Sequence, residues 1–435
     1  MDCNSTAPLY GATRFRCPDC GGLYDVCHQF EIQPSEAPYW KIVFDRRCLQ
    51  DHHDIQSQSG VWRFHELVMP SLSEEHIVTL GEGIMPMWRA GNNLRKWIGG
   101  GLDLWLMPEG LAPTGSFKDF GGTVMISVAK ASGVTAIGCA STGDTSAMAA
   151  AYAAAAGMTC AVVLPRGWVT AVQLAQPIAH GAKVITVPGS FDDCSRIVQE
   201  LVAAGRMFPA NSINPSRIEG HQATVFLAVQ FFGWEMPDWF VVPVGNGSNS
   251  SSIGKGMRTL RDLGFVHHIG RILGVQSAAA NPLAQSWSVA SGMNRNPPST
   301  NDFADLWKTA YMPRDKLGDT VATAARIGAP VSYKKVIREI TASNGAVLTA
   351  SEESLIEAVL IAGSDGHFVC PQTGTALSGL RDAVSRGLVQ SRERVVVVST
   401  AAGIKFPNVP ARRGGASSWN AKTCDTEEVA GLIGI

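Results

Sequence analysis

Lys118 stands in the segment Pro113-Thr-Gly-Ser-Phe-Lys118-Asp119, flanked by small and turn-forming residues at a loop-to-helix junction. An amine held in a roomy, water-poor site loses its proton more readily and can form a Schiff base with a carbonyl carbon. Most lysines are exposed, so a solvated lysine at a helix start is the ordinary reading of this segment alone.

Three further segments sharpen the choice. Cys139-Ala-Ser141-Thr142-Gly143-Asp144-Thr145-Ser146 runs straight into an alanine-rich stretch. Hydroxyls and backbone N–H groups gathered at a helix N-terminus suit a carboxylate, although an ordinary Ser/Thr cap uses the same residues. Gly245-Asn246-Gly247-Ser248-Asn249 follows the apolar run Trp239–Val244. Small residues there let the backbone fold around a phosphate, or make a plain turn. The segment has neither the Gly-Lys-Ser/Thr of a nucleotide loop nor the glycine spacing of a dinucleotide fingerprint. Val395 to Gly403 ends a buried run on Ser399 and Thr400, whose hydroxyls can hydrogen-bond a ring nitrogen without forcing it to be protonated.

These residues need elements to position them. From Leu80 onward, short β-branched runs alternate with helical periods. TAIGCAST precedes the alanine helix, CAVVLP precedes a helix near Val172–His180, and KVITVPG precedes one near Asp193–Ala204. DWFVVPVGNG, RILGVQS and ERVVVVSTAAG are further buried-strand candidates. This alternation predicts parallel sheets covered by helices on both faces. In such sheets ligands sit beyond the carboxyl ends of the strands, where the loop residues above fall. The apolar stretch from Ala147 to Pro165 is divided by Gly157 and Thr159 into a helix and a strand, so it reads as buried core rather than a membrane span. Residues 288–318 are polar and proline-bearing and are expected to form a long surface excursion.

Composition bounds the rest. At 435 residues the chain is too long for one ordinary core, and 45% hydrophobic against 17% charged residues suits two well-packed domains. A formal net charge of −1 gives no basic excess for nucleic acid or an anionic membrane. Ten cysteines without a signal-peptide pattern at the start are expected to be reduced thiols of a cytoplasmic protein.

Each motif is modest alone, but their order resembles that of the threonine synthases, which are fold-type II pyridoxal 5′-phosphate enzymes. The resemblance is carried by PTGSFKD, CASTGDTSAMAAAYAAAAGM, LPRG, QLAQPIAHGA, NSINPSRIEG, PVGNGSN, QSAAANPL, PQTGTAL and VVVVSTAAGIKF, and covers about residues 80–406. STGDT is close to the plant-type subgroup. The resemblance implies a tryptophan synthase β-like α/β fold with the cofactor between two domains. The expected division is an N-terminal extension at 1–78, a large cofactor-binding domain from 79–110 and 207–406, a small domain at 111–206 and a tail at 407–435.

By the same resemblance, Lys118 is the Schiff-base lysine and Phe117 packs beside the cofactor ring. Gly245, Asn246, Gly247, Ser248 and Asn249 cradle its phosphate, and Thr400 faces its nitrogen. Ser141, Thr142, Asp144 and Thr145 surround the substrate carboxylate and the cofactor 3′-oxygen. Asn211, Ser212 and Arg217 hold a substrate phosphoryl group, for which the planar arginine fork is suited. The implied reaction converts O-phospho-L-homoserine and water to L-threonine and phosphate in a homodimeric enzyme. The expected partner is a small phosphorylated amino acid, with no nucleic acid and no membrane.

The sequence departs from the family pattern at several places. Ala402 replaces a histidine near Thr400, Ser248 replaces a glycine, Gly83-Ile-Met85-Pro86-Met87 lacks a threonine, and EGQKT reads Glu219-Gly-His221-Gln-Ala. They leave open a paralogue acting on another phosphorylated amino acid, such as O-phosphoserine with a different nucleophile, as cysteate synthase does. A binding protein without turnover is a further alternative. In the extension, Cys17-Pro-Asp-Cys20 resembles the cysteine knuckle that opens many of these sequences. Cys27, His28, Cys48, His52 and His53 could complete a metal site, but no second C-x-x-C exists, so a knuckle without metal is expected.

Overall fold

The computed structural model describes residues 3, 5–12, 14–49, 54–141, 143–166, 171–292, 297–310 and 317–409. Ten strands form two sheets. They are β1 (Trp88–Arg89), β2 (Asp103–Pro108), β3 (Ala136–Cys139), β4 (Thr159–Pro165), β5 (Lys183–Val187), β6 (Phe208–Pro209), β7 (Trp239–Pro243), β8 (Arg271–Ser277), β9 (Ala346–Ala350) and β10 (Arg394–Ser399). The larger sheet has the order β1-β2-β10-β7-β8-β9, and the smaller has β5-β4-β3-β6. All pairings are parallel except β1 with β2. Every strand expected from the sequence is present; β1, β2, β6 and β9 are additional. β6 is hydrogen-bonded to β3, so the smaller sheet extends past the boundary expected at residue 206.

Strands covered on both faces read as unbroken apolar runs. Trp239–Pro243 is buried at every position, as is Val395–Ser399. The alanine stretch forms the helix Asp144–Ala155, whose small side chains let it lie close to β3 and β4. Gly157, at φ 68°, ends it before β4 begins. No helix among the described residues is long and apolar enough to cross a membrane.

The N-terminal extension is built into the core. Trp62 is fully buried and its indole N–H donates to Thr123 Oγ1 at 2.7 Å, on the helix Lys118–Ala131. Glu82 is also buried, and burial raises its pKa. Its carboxylate accepts from Ser59 Oγ at 2.5 Å, Thr79 Oγ1 at 2.9 Å, Leu80 N at 3.0 Å and Tyr152 Oη at 2.7 Å. This acid ties the extension to the alanine helix.

The described residues of the span 288–318 differ from expectation. Residues 288–291 finish the helix Pro282–Ser291, and a further helix spans Thr300–Ala310. Phe303 and Trp307 turn inward, stack at 6.0 Å between ring centroids and join the core beside the larger sheet. The polar composition that suggested an excursion is that of an amphipathic helix viewed from its wet side. Phe303→Ala should therefore lower the unfolding free energy by about 3–5 kcal/mol in urea titrations; a loss under about 1 kcal/mol would return this helix to the surface.

Candidate active site

The loop before Lys118 is fastened twice. Within it, Asp119 accepts from the Thr114 N–H at 2.7 Å and the Thr114 hydroxyl at 2.5 Å. Burial pushes the Asp119 pKa up to about 7 against those two bonds. Across the molecule, Phe117 N–H donates to Thr400 O at 2.8 Å and Ala402 N–H donates to Gly115 O at 3.0 Å. Gly115 takes φ 82°, which lets the loop turn beside β10. Lys118, first residue of its helix, is thereby set against the carboxyl end of β10.

A narrow cleft opens there. Its walls include Phe117, Lys118, Asp144, Gly245–Asn249 and Thr400, with Ala325 and Gln372 completing it. It lies beyond the carboxyl ends of β7 and β10, as expected for open α/β sheets. Gly245–Asn249 bends from β7 into the helix Ser248–Asp262, so the N–H groups of the first turn face the cleft end of that helix. Gly247 has φ 88°, and a Cβ there would strike Val336. The side-chain amides of Asn249 and Gln372 are buried with no hydrogen-bond partner on either atom among the described residues. Orphaned amides in a cleft are groups waiting for a ligand or water. On the opposite side, Thr400 N–H donates to Thr373 Oγ1 at 3.1 Å, and its hydroxyl lies 3.5 Å from Cys370 Sγ.

The amine of Lys118 lies 4.0 Å from the centroid of the Phe117 ring. Withdrawal from solvent, together with the charge of Arg217, lowers its pKa to about 7, and Asp144 and Glu109 only partly oppose this. Burial pushes Glu109 up to about 8; one oxygen accepts from Thr224 Oγ1 at 2.5 Å and the other is unpartnered. Asp144 is paired at 2.8 Å with Lys405, whose amine also donates to Thr114 O at 2.9 Å. Lys405 thus ties the segment after β10 to both loops that frame the cleft.

The structure brings most of the sequence-selected residues together and sets some behind the cleft wall. Phe117, Lys118, Asp144, Gly245, Asn246, Gly247, Ser248, Asn249 and Thr400 all line it. Ser141 is half-buried on the adjoining loop and Thr145 half-buried in the first turn of the helix Asp144–Ala155, while Thr142 lies outside the described residues. Asn211 Nδ2 donates to Ala140 O at 3.4 Å, so the Asn211–Ser212 turn abuts that loop. Arg217 is fully buried. Its Nη1 donates to Ala210 O at 3.0 Å, and Nε and Nη2 have no partner among the described residues. Burial lowers its pKa to about 10. His221, noted as a departure only, is buried with both ring nitrogens unpartnered, and its ring lies 5.0 Å from that of Phe117. Burial holds it well below the usual histidine range, hence neutral. Gln372, Cys370, Glu109 and Lys405 were not singled out. Gln372 sits inside the quoted PQTGTAL, where a glutamine at a helix start gave a signal; Glu109 had none.

Comparison with known proteins agrees with this architecture. Residues 78–401 match the family described as pyridoxal-phosphate dependent enzyme. The chain belongs to that family. It is 37% identical to "Threonine synthase 2, chloroplastic" of Arabidopsis thaliana over 89% of this chain and 72% of that protein. It is 35% identical to the threonine synthase of Methanocaldococcus jannaschii over 91% and 94% of the two chains. Within the pyridoxal-phosphate enzymes, the chain is therefore a member of the threonine synthase family. The solved structure of Escherichia coli threonine synthase superposes with a TM-score of 0.63 over 93% of this chain and 87% of that one, at 18% identity, which bears on the fold.

The lowered pKa of Lys118 has a kinetic signature. Its amine carries a proton below about pH 7 and is free above it. The rate at which apoprotein takes up pyridoxal phosphate, followed by visible absorbance, should climb about tenfold per pH unit toward 7 and then level off. A climb continuing to pH 10 would show an ordinary, solvated amine.

Proposed function

We propose that this chain converts O-phospho-L-homoserine and water to L-threonine and inorganic phosphate, with pyridoxal phosphate in the cleft under Lys118. The observation carrying this reading is the convergence on one cleft of a lysine of lowered pKa, an amide-lined helix N-terminus and a strand-end hydroxyl. These fit the cofactor. The orphaned amide of Asn249 and the glycine-only turn at Gly247 suit a phosphate, the Lys118 amine suits an aldehyde, and the Thr400 hydroxyl suits a pyridine nitrogen. When bound, the cofactor is an electron sink that makes protons on the substrate's α- and β-carbons removable.

The chain's own groups do the rest. Lys118, with its pKa lowered to about 7, accepts and returns those protons. Phe117 flanks its amine and keeps water from that side. Gly245, Asn246, Gly247, Ser248 and Asn249 anchor the cofactor phosphate, and Asp144, fixed by Lys405, faces the cofactor's 3′-oxygen. Ser141, Thr142 and Thr145 take the substrate carboxylate. Asn211, Ser212 and Arg217 take the phosphate that leaves from Cγ with its bridging oxygen. The two unpartnered donor sites of the buried Arg217 guanidinium support an anion arriving there, since a buried cation without partners is costly. Water then adds at Cβ. The division into a large unit (79–110 and 207–406) and a small one (111–206) puts these groups on both sides of the cleft. The reading carries with it a cytoplasmic homodimer, for which Tyr39, Ile42 and Leu49, exposed along the helix Ala37–Leu49, offer an apolar face.

Purified enzyme given O-phospho-L-homoserine should release phosphate and form threonine in equal amounts. Lys118→Ala should abolish turnover, and Arg217→Met should raise KM for the phosphorylated substrate by about ten- to a hundredfold. Phosphate release from O-phosphoserine without any threonine from O-phosphohomoserine would instead favour the paralogue that Ala402 left open.

A further inference from the structure

Three cysteines of the N-terminal extension form a cluster that the cleft does not use. Cys3, fourteen residues ahead of Cys17 in the chain, comes back to meet the Cys17-Pro-Asp-Cys20 turn. Cys3 Sγ lies 3.5 Å from Cys17 Sγ and 3.4 Å from Cys20 Sγ, and all three sulfurs fall within 4.8 Å of one another. A disulfide would need about 2.05 Å. Thiolates sharing a tetrahedral zinc ion, each about 2.3 Å from the metal, stand about 3.8 Å apart. The observed separations are close to that edge.

The turn is formed for such a role. Cys17 N–H donates to Gly22 O and Gly21 N–H donates to Cys17 O, each at 2.9 Å, with Gly21 at φ 68°. Arg16 and Leu23 pair across the base, and Arg16 Nη1 donates to Gly21 O at 3.0 Å. The Asp19 carboxylate accepts from Cys17 Sγ at 3.8 Å and from Ser5 Oγ at 2.6 Å, and so orients Cys17 from outside the sulfur trio. The ligands weighed from sequence go elsewhere. His28 pairs with Glu219 at 2.8 Å, Cys27 and Cys48 are exposed as free thiols, and His52 and His53 lie outside the described residues.

We propose that Cys3, Cys17 and Cys20 bind one structural zinc ion, with water at the fourth position and the Asp19 carboxylate behind Cys17 as an outer partner. The expectation of a knuckle without metal rested on ligand counting that did not include Cys3. The ion closes a strap laid across both sheets. Phe15, two residues before Cys17, packs edge-on against Phe208 of β6 at 5.2 Å. Beyond the knuckle, Asp25 pairs with Lys335 and Arg338, and Val26 O accepts from Lys255 at 2.7 Å. His28 then reaches Glu219 on the short helix Ser216–His221, which carries Arg217. Metal binding fastens the free end of this strap.

The test uses the holoenzyme, reduced, stripped of metal with a chelator, and titrated with Co²⁺ alone. One equivalent should produce a near-ultraviolet thiolate-to-cobalt band with the visible bands of a tetrahedral ion, and Zn²⁺ should bleach both. Cys3→Ser should weaken cobalt binding by more than about tenfold, the size of even an outer-shell loss. Asp19→Asn should keep the thiolate band and leave the visible bands in place. Cys27→Ser, outside the cluster, should leave everything unchanged. The bound-cofactor absorbance of each variant reports that it is folded. No thiolate band at one equivalent, or a band indifferent to Cys3→Ser in folded protein, overturns the proposal.

Discussion

The site depends on how closely two helices cross. Lys118–Ala131 and Ser216–His221 meet at glycines on both sides. A Cβ on Gly220 would fall inside the Phe120 carbonyl, and one on Gly121 would lie 2.6 Å from the His221 ring and 2.7 Å from Arg217 O. This near-backbone contact places Arg217 and His221 directly behind Lys118. The charge of buried Arg217, which has no ion partner among the described residues, then works with burial to lower the pKa of the lysine. The pKa of about 7 at Lys118 is in this sense a packing result.

The short helix Ser216–His221 has two electrostatic faces. Toward the lysine it offers Arg217 and neutral His221, with open hydrogen-bonding positions. Away from it, Glu219 is fully engaged by His28, Lys255 and Gln222, and the pairing with cations lowers its pKa against the effect of burial. The satisfied face anchors the helix to the N-terminal extension; the unsatisfied face is free for chemistry. Buried polar groups are nearly always partnered, so the contrast within six residues separates scaffold from site.

Much of this was legible in the residue order. Runs such as FVVP and RVVVVS announce buried parallel strands because no polar residue interrupts them, and the loops that follow carry the cleft-lining groups. DLWLMP and AVLTA were missed as β2 and β9, because leucine, methionine and alanine favour helices and only pairing with β10 and β8 decides the matter. Phe303 and Trp307 were lost in polar surroundings that are one face of a helix. Burial was hardest to read. Nothing in NSINPSRIEG announces that Arg217 lies wholly inside, and Cys3 became a neighbour of Cys17 only through the path of the chain. Glu109 gave no sign because its isolation from water is made by residues distant in sequence.

Chain order sets an order in which the molecule can close. The smaller sheet needs nothing after Pro209, so all four of its strands are available once that residue has been made. β2 has a different fate. Its place in the sheet requires Arg394–Ser399 on one flank, so an apolar strand must wait until β10 has been made with only two-residue β1 beside it. Such long-range pairing is slow and leaves sticky edges exposed. Thr400 follows that strand and receives the Phe117 N–H, so the loop before Lys118 is fastened only after β10 has been made.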